Sequence, residues 1–203
     1  MKLLSFLLPL FLCSCITLNM FEDRKPALEE YTVRGIGQSK IALISVSGAI
    51  SNKGVKGFVT NEPGMVQSLI SQLRLAANDP EVRAVMIKVN SPGGTVTASD
   101  VMYHEIMRFK EATKKRVYVM AMDQVLSGGY YLALAADEIY AHPTSLVGSV
   151  GVIFMSPKVY GLMDKIGVDF QIYKSGKNKD IGSPFRKASK EENCSRHISK
   201  CYK

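Results

Sequence analysis

Ser127 is set in the run Asp123-Gln124-Val125-Leu126-Ser127-Gly128-Gly129-Tyr130-Tyr131, after an apolar strand-like stretch, Val117 to Met122, and before a helix-forming stretch, Tyr130 to Ala136. A serine at such a strand-to-helix turn is well placed for nucleophilic attack, because free N–H groups at a helix start favour an oxyanion and the glycines let a substrate backbone approach. The same residue type also serves as an ordinary helix N-cap, so context must decide. A second turn of the same design, Asn90-Ser91-Pro92-Gly93-Gly94, follows the strand-like stretch Ala84 to Val89. If the two strands are neighbours in a parallel sheet, both turns face one crevice, and one supplies a nucleophile while the other supplies oxyanion donors.

A serine hydroxyl needs a base. Of the three histidines, His104 falls on the solvent side of a helix, His197 lies in a charged tail, and His142 sits beside Pro143 at a strand end. A triad of Ser127, His142 and Asp137 or Asp169 has no local support, and the G-x-S-x-G pattern of a hydrolase elbow is missing. A lysine serves as base once burial lowers its pKa. Lys177 and Lys179, in a loop between Gly176 and Gly182, are the two candidates, and residue type alone does not separate them.

The elements that must hold these groups alternate. Strands are expected at Ile41 to Val46, Ala84 to Val89, Val117 to Met122, Asp137 to Ala141 and Val168 to Tyr173. The first of these reads as buried. Helices are expected at Val66 to Ala77, with Val66, Leu69, Ile70, Leu73 and Ala77 inward, at Thr95 to Ala112, with Ala98, Met102, Ile106 and Phe109 inward, and at Pro157 to Ile166. Pro143 to Ser149 reads as a loop. This order predicts an α/β fold with parallel pairing, right-handed crossovers, and the site at the carboxyl ends of the strands.

With 203 residues and 46% hydrophobic content, the chain is expected to form one core over residues 41–190, after a polar tether at 19–40. Residues 1–18 carry Lys2, an apolar run from Leu3 to Leu12, and Leu12-Cys13-Ser14-Cys15, which together read as an export signal or anchor with Cys15 as a lipidation candidate. The net charge of +8 is concentrated late, with nine Lys and Arg against three acids from Lys174 onward. Those basic residues lack the interleaved aromatics of a nucleic-acid binder. Residues 191–203 form an irregular basic tail. Cys194 and Cys201 suit a disulfide in an oxidising compartment, and with His197 they are too few for a convincing metal site, so no metal or other cofactor is expected.

Asn90-Ser91-Pro92-Gly93-Gly94, Ser127-Gly128-Gly129-Tyr130-Tyr131, Gly148-Ser149-Val150-Gly151-Val152 and the run Ser175 to Arg186 resemble, in this order, the signal peptide peptidase A (protease IV) family of membrane-bound serine peptidases, over roughly Ile41 to Lys190. The resemblance implies a crotonase-like, Clp-protease-like fold and a Ser/Lys dyad that degrades cleaved signal peptides on the exported side of the bacterial cytoplasmic membrane. It implies Ser127 as nucleophile, Lys179 as general base and Ser149 as the hydroxyl that orients the lysine. Gly93, Gly94 and Gly128 become the oxyanion turn, and the active form becomes a homo-oligomer in which the serine of one subunit meets the lysine of the next. Val147, Val150, Val152, Ile153 and Phe154 are expected to wall off the lysine. The family's members continue past the lysine loop, so Cys194 to Lys203 reads as a truncated or frameshifted end. The alternative function is thus an inactive, membrane-tethered fragment or interaction domain, and a third is an acyl-CoA enzyme on the same fold class.

Overall fold

The computed structural model describes residues 28, 30–56, 61–176 and 179–189. The expected export segment 1–18 with Cys15, the alternative base Lys177, and the tail 191–203 with Cys194, His197 and Cys201 lie outside the described residues. Among the described residues no helix is long and apolar enough to cross a membrane. The chain divides into two compact units, Met1–Gly151 and Val152–Lys203, with the boundary inside the stretch read as one core.

The first unit runs β1 (Lys40–Ser47), β2 (Val55–Lys56), β3 (Asn61–Glu62), α1 (Met65–Asn78), β4 (Val82–Ser91), α2 (Val96–Thr113), β5 (Arg116–Leu126), α3 (Gly128–Ala133), β6 (Glu138–Ala141) and β7 (Leu146–Gly148). The main sheet has the order β1-β4-β5-β6, and β7 also pairs with β5. Every pairing in it is parallel. β2 and β3 form a separate antiparallel pair.

Period-two alternation builds one buried face of this sheet. Val85, Ile87 and Val89 of β4 and Val117, Val119, Ala121 and Val125 of β5 join Val66, Leu69 and Leu73 of α1 and Ala98, Met102, Ile106 and Phe109 of α2 in a single core. The expected inner face of α2 is the observed one, and His104 is exposed. In α1 the stripe is rotated slightly, with Ala76 buried where Ala77 was expected, and Ile70 only half-buried. Lys115 closes the end of α1, its Nζ donating to the carbonyls of Ala76 at 2.7 Å and Asp79 at 2.8 Å.

Five sequence expectations change. β1 is an edge strand rather than a buried one, so Ile44 is 2% exposed while Ile41, on its other face, is 64% exposed. β5 does not end at Met122 but continues to Leu126. The loop expected at Pro143 to Ser149 contains β7, because the extension of β5 offers it a free edge. In the second unit, α4 (Tyr160–Lys165) is shorter than expected. Residues 168–173 form no strand, since β geometry needs a partner edge and none of the described residues there provides one.

Met102→Ala and Ile106→Ala, each emptying a site that is 0% exposed, are expected to lower unfolding free energy by about 2–5 kcal/mol in urea titrations. His104→Ala, a surface change, is expected to shift it by less than about 0.5 kcal/mol.

Candidate active site

The extension of β5 places Ser127. Pairing between β4 and β5 breaks register after Val89, and Ser91 then stands opposite Val125. Asn90 spans the break, its Nδ2 donating to Asp123 Oδ2 at 2.9 Å while its Oδ1 accepts from the Gln124 N–H at 3.3 Å. On the other side Gln124–Leu126 pairs with Leu146–Gly148 of β7. The strand therefore runs without a loop into Ser127, whose N–H donates to the Gly148 carbonyl at 2.9 Å and whose own carbonyl accepts the Tyr131 N–H at 2.9 Å.

Those bonds hold Ser127 at φ 49°, ψ −119°, a conformation that side-chain-bearing residues rarely adopt. Such a backbone costs about 1–3 kcal/mol and persists only where the surroundings impose it. The result is a sharp strand-to-helix turn of the kind that exposes a nucleophile, although G-x-S-x-G is absent from the sequence. Among the described residues the Ser127 side chain has one weak partner, the Gly151 carbonyl at 3.5 Å.

The second glycine turn is pressed against it. A Cβ on Gly93, which has φ +97°, would lie 2.8 Å from Ser127 Cβ and 2.9 Å from Gly128 N. A Cβ on Gly94 would lie 2.0 Å from the Ile50 carbonyl oxygen, and one on Gly128 would lie 2.1 Å from Ser99 Oγ and 3.5 Å from Gly94 N. The three expected oxyanion glycines are thus together, and hydrogen bonding separates their amides. The Gly93 N–H is spent on Ser91 Oγ at 3.1 Å. Among the described residues the Gly94 and Gly128 N–H groups donate to nothing, and these two stand side by side next to Ser127. Two neighbouring unspent amides beside a strained serine are the kind of donors that stabilise the oxyanion of a tetrahedral acyl-transfer intermediate.

Ser149 follows Gly148 directly, at φ 53°, and is exposed one residue beyond the carbonyl that anchors Ser127. His142 bonds Thr144 Oγ1 at 2.8 Å, and among the described residues no histidine bonds Ser127. Lys179 belongs to the second unit, where its N–H donates to the Gly176 carbonyl at 3.2 Å and its side chain is exposed. The neighbouring Asp180 organises this loop. Arg186 Nε and Lys174 Nζ each bind its carboxylate at 2.7 Å, and Arg186 Nη2 reaches its carbonyl at 3.1 Å. The Arg186 guanidinium first, and then the Lys174 ammonium, hold the Asp180 carboxyl far below the usual carboxylate range.

The apolar residues expected to wall off the lysine are exposed among the described residues. Val147 is 42% exposed, Val150 80%, Val152 51%, Ile153 83% and Phe154 71%, because no described strand or helix packs over them. Sequence reading also missed Ser91, Ser99, Asn90 and Asp180 as supports of the two sites. For Asn90, Ser91 and Asp180 the signal present was a small or polar residue adjoining a glycine or lysine motif, whereas Ser99, inside α2, carried none.

Gly128→Ala is expected to destabilise the fold and to suppress reactivity at Ser127. Adding Ser99→Ala, which removes the 2.1 Å obstacle, is expected to restore part of both, read by thermal denaturation and by labelling with a fluorophosphonate. The Asp180 tie is present at pH values above the ordinary carboxylate value of 3.8 and is lost as pH falls below it toward the depressed folded value. Amide exchange in residues 179–186 is accordingly expected to accelerate relative to the main sheet on acidification below about pH 4, and in Asp180→Asn already at neutral pH.

A family model described as Clp protease matches residues 33–147, more than half of the chain, and one described as Peptidase family S49 matches residues 109–202. A candidate signal peptide peptidase SppA of Enterococcus faecium is 35% identical over 175 residues, which cover 86% of this chain and 51% of that protein. Serine protease SPPA, chloroplastic, of Arabidopsis thaliana is 35% identical over 160 residues, covering 77% of this chain and 23% of that one. Protease 4 of Salmonella typhi is 37% identical over 130 residues, covering 63% and 20%. This chain therefore spans about half the length of the first relative and less of the others. The parallel sheet, the paired glycine turns and these matches lead to one assignment: the chain belongs to peptidase family S49, the family of signal peptide peptidase A and protease 4, on a Clp-protease-like α/β fold.

Proposed function

We propose that this chain is a serine endopeptidase that uses a Ser127/Lys179 dyad to degrade cleaved signal peptides or other apolar peptides. The observation that carries the reading is Ser127 in a strained turn, flanked by the unspent amides of Gly94 and Gly128. Neutral Lys179 takes the Ser127 hydroxyl proton as Oγ attacks the peptide carbonyl. The Gly94 and Gly128 N–H groups hold the oxyanion while the C–N bond breaks, and the lysine ammonium returns the proton to the leaving amine. Water, deprotonated by the same amine, then attacks the acyl carbon, and the ammonium returns that proton to Ser127 Oγ as the ester bond breaks. Ser149 orients the amine, and no cofactor takes part.

Exposure of Lys179 in the single chain favours a dyad completed between copies, with the serine of one subunit meeting the lysine of the next. It equally supports a second reading, a tethered domain of this family that does not cleave. The apolar run Leu3 to Leu12 and Cys15 support attachment to the exported side of the cytoplasmic membrane.

Ser127→Ala and Lys179→Ala are each expected to cut hydrolysis of an apolar fluorogenic peptide by at least about 1,000-fold with circular dichroism unchanged. Mixing the two inactive variants is expected to restore a fraction of the activity, because some interfaces then combine an intact serine with an intact lysine. Activity in either variant alone would contradict the dyad. A wild-type protein that neither cleaves nor labels would favour the tethered domain.

A further inference from the structure

The residue behind the oxyanion turn is Ser91, the last residue of β4, and it is completely buried. Its Oγ donates to the Gly48 carbonyl at 2.7 Å and accepts the Gly93 N–H at 3.1 Å. A 3.5 Å approach to the Gly93 carbonyl is too long to compete for the single hydroxyl proton. One side chain thus joins the exit of β1 to the turn that follows β4.

Around it the backbone leaves the turn little freedom. The Ile50 N–H donates to the Gly93 carbonyl at 2.8 Å, and the Thr95 N–H donates to the Ile50 carbonyl at 2.9 Å. In a trans peptide the carbonyl and the following N–H point in opposite directions, so fixing the Gly93 carbonyl on Ile50 turns the Gly94 N–H away from Ile50. Ser91 does the complementary task on the preceding peptide, since it takes up the Gly93 N–H. It also lies beneath α3, where a Cβ on Gly129 would approach Ser91 Cβ to 3.3 Å.

We infer that Ser91 is a positioning residue for catalysis: its buried hydroxyl removes the Gly93 amide from the site and locks the turn so that Gly94 is presented beside Gly128. The inference rests on the serine peptidase reading above. Without the hydroxyl, the Gly93 N–H and the Gly48 carbonyl lose their buried partner, and rotation of the glycine peptides is the nearest relief. Such rotation misplaces an oxyanion donor without touching the surfaces that bind the peptide, so it acts on kcat rather than KM.

The test compares wild type, Ser91→Ala and Ser91→Thr by steady-state cleavage of an apolar fluorogenic peptide and by amide hydrogen exchange at Gly93. Ser91→Ala is expected to lower kcat by about 10- to 100-fold with KM within about twofold. Ser91→Thr, which keeps the hydroxyl, is expected to recover most of that loss. In Ser91→Ala the Gly93 amide is expected to exchange at least about tenfold faster while those of Val85, Ile87 and Val89 are unchanged. Wild-type kcat in Ser91→Ala, or a Gly93 amide that exchanges in wild type as in an open chain, would overturn the inference. If wild type cleaves no peptide, the function proposed above fails, while exchange at Gly93 still decides whether Ser91 holds the turn.

Discussion

One close approach governs this molecule: the Gly93-Gly94 turn lies against Ser127 and Gly128 with no room for a side chain between them. Glycine at these positions costs about 0.5–1 kcal/mol each in chain entropy relative to alanine. What that cost permits is proximity. Two amides from separate strand ends meet beside one hydroxyl, and neither has an internal acceptor among the described residues. Donors fixed in this way need no reorganisation when charge develops, which is the main source of oxyanion stabilisation.

The sheet exists, for this purpose, to bring two strand ends to the same level with an offset. β4 stops at Ser91, and β5 runs on to Leu126 with Asn90 spanning the irregularity and β7 supporting the far edge. Strain at Ser127 is held by hydrogen bonds on both sides, from its N–H to Gly148 and from its carbonyl to Tyr131. The lysine loop is organised separately, by the Asp180 carboxylate with Arg186 and Lys174. The Ser127 turn with its two free amides and the loop that carries Lys179 are therefore each built locally, within their own unit.

Much of this was legible from sequence because the signals were local. The α2 stripe of Ala98, Met102, Ile106 and Phe109 follows from period alone, and the two glycine turns announce close backbone contact. β1 was misjudged because IALISV reads the same whether a strand is central or at an edge, and only topology shows that Ile41 faces water. The continuation of β5 through Asp123 and Gln124 was hidden by their polarity, which the side chain of Asn90 satisfies across the sheet. Which glycine amide is free was beyond sequence altogether. It depends on the direction of peptide planes, set by Ser91 and Ile50, residues far from Ser127 in the chain.

Whether the Gly94 and Gly128 amides hold an oxyanion is read from a crystal structure of the protein with a peptide boronate bound covalently to Ser127. One boronate oxygen is expected within about 2.7–3.1 Å of both Gly94 N and Gly128 N, with the Gly93 N–H still on Ser91 Oγ. A boronate oxygen directed into solvent, or held by the Gly93 N–H in place of Gly94, would contradict that role of the two amides.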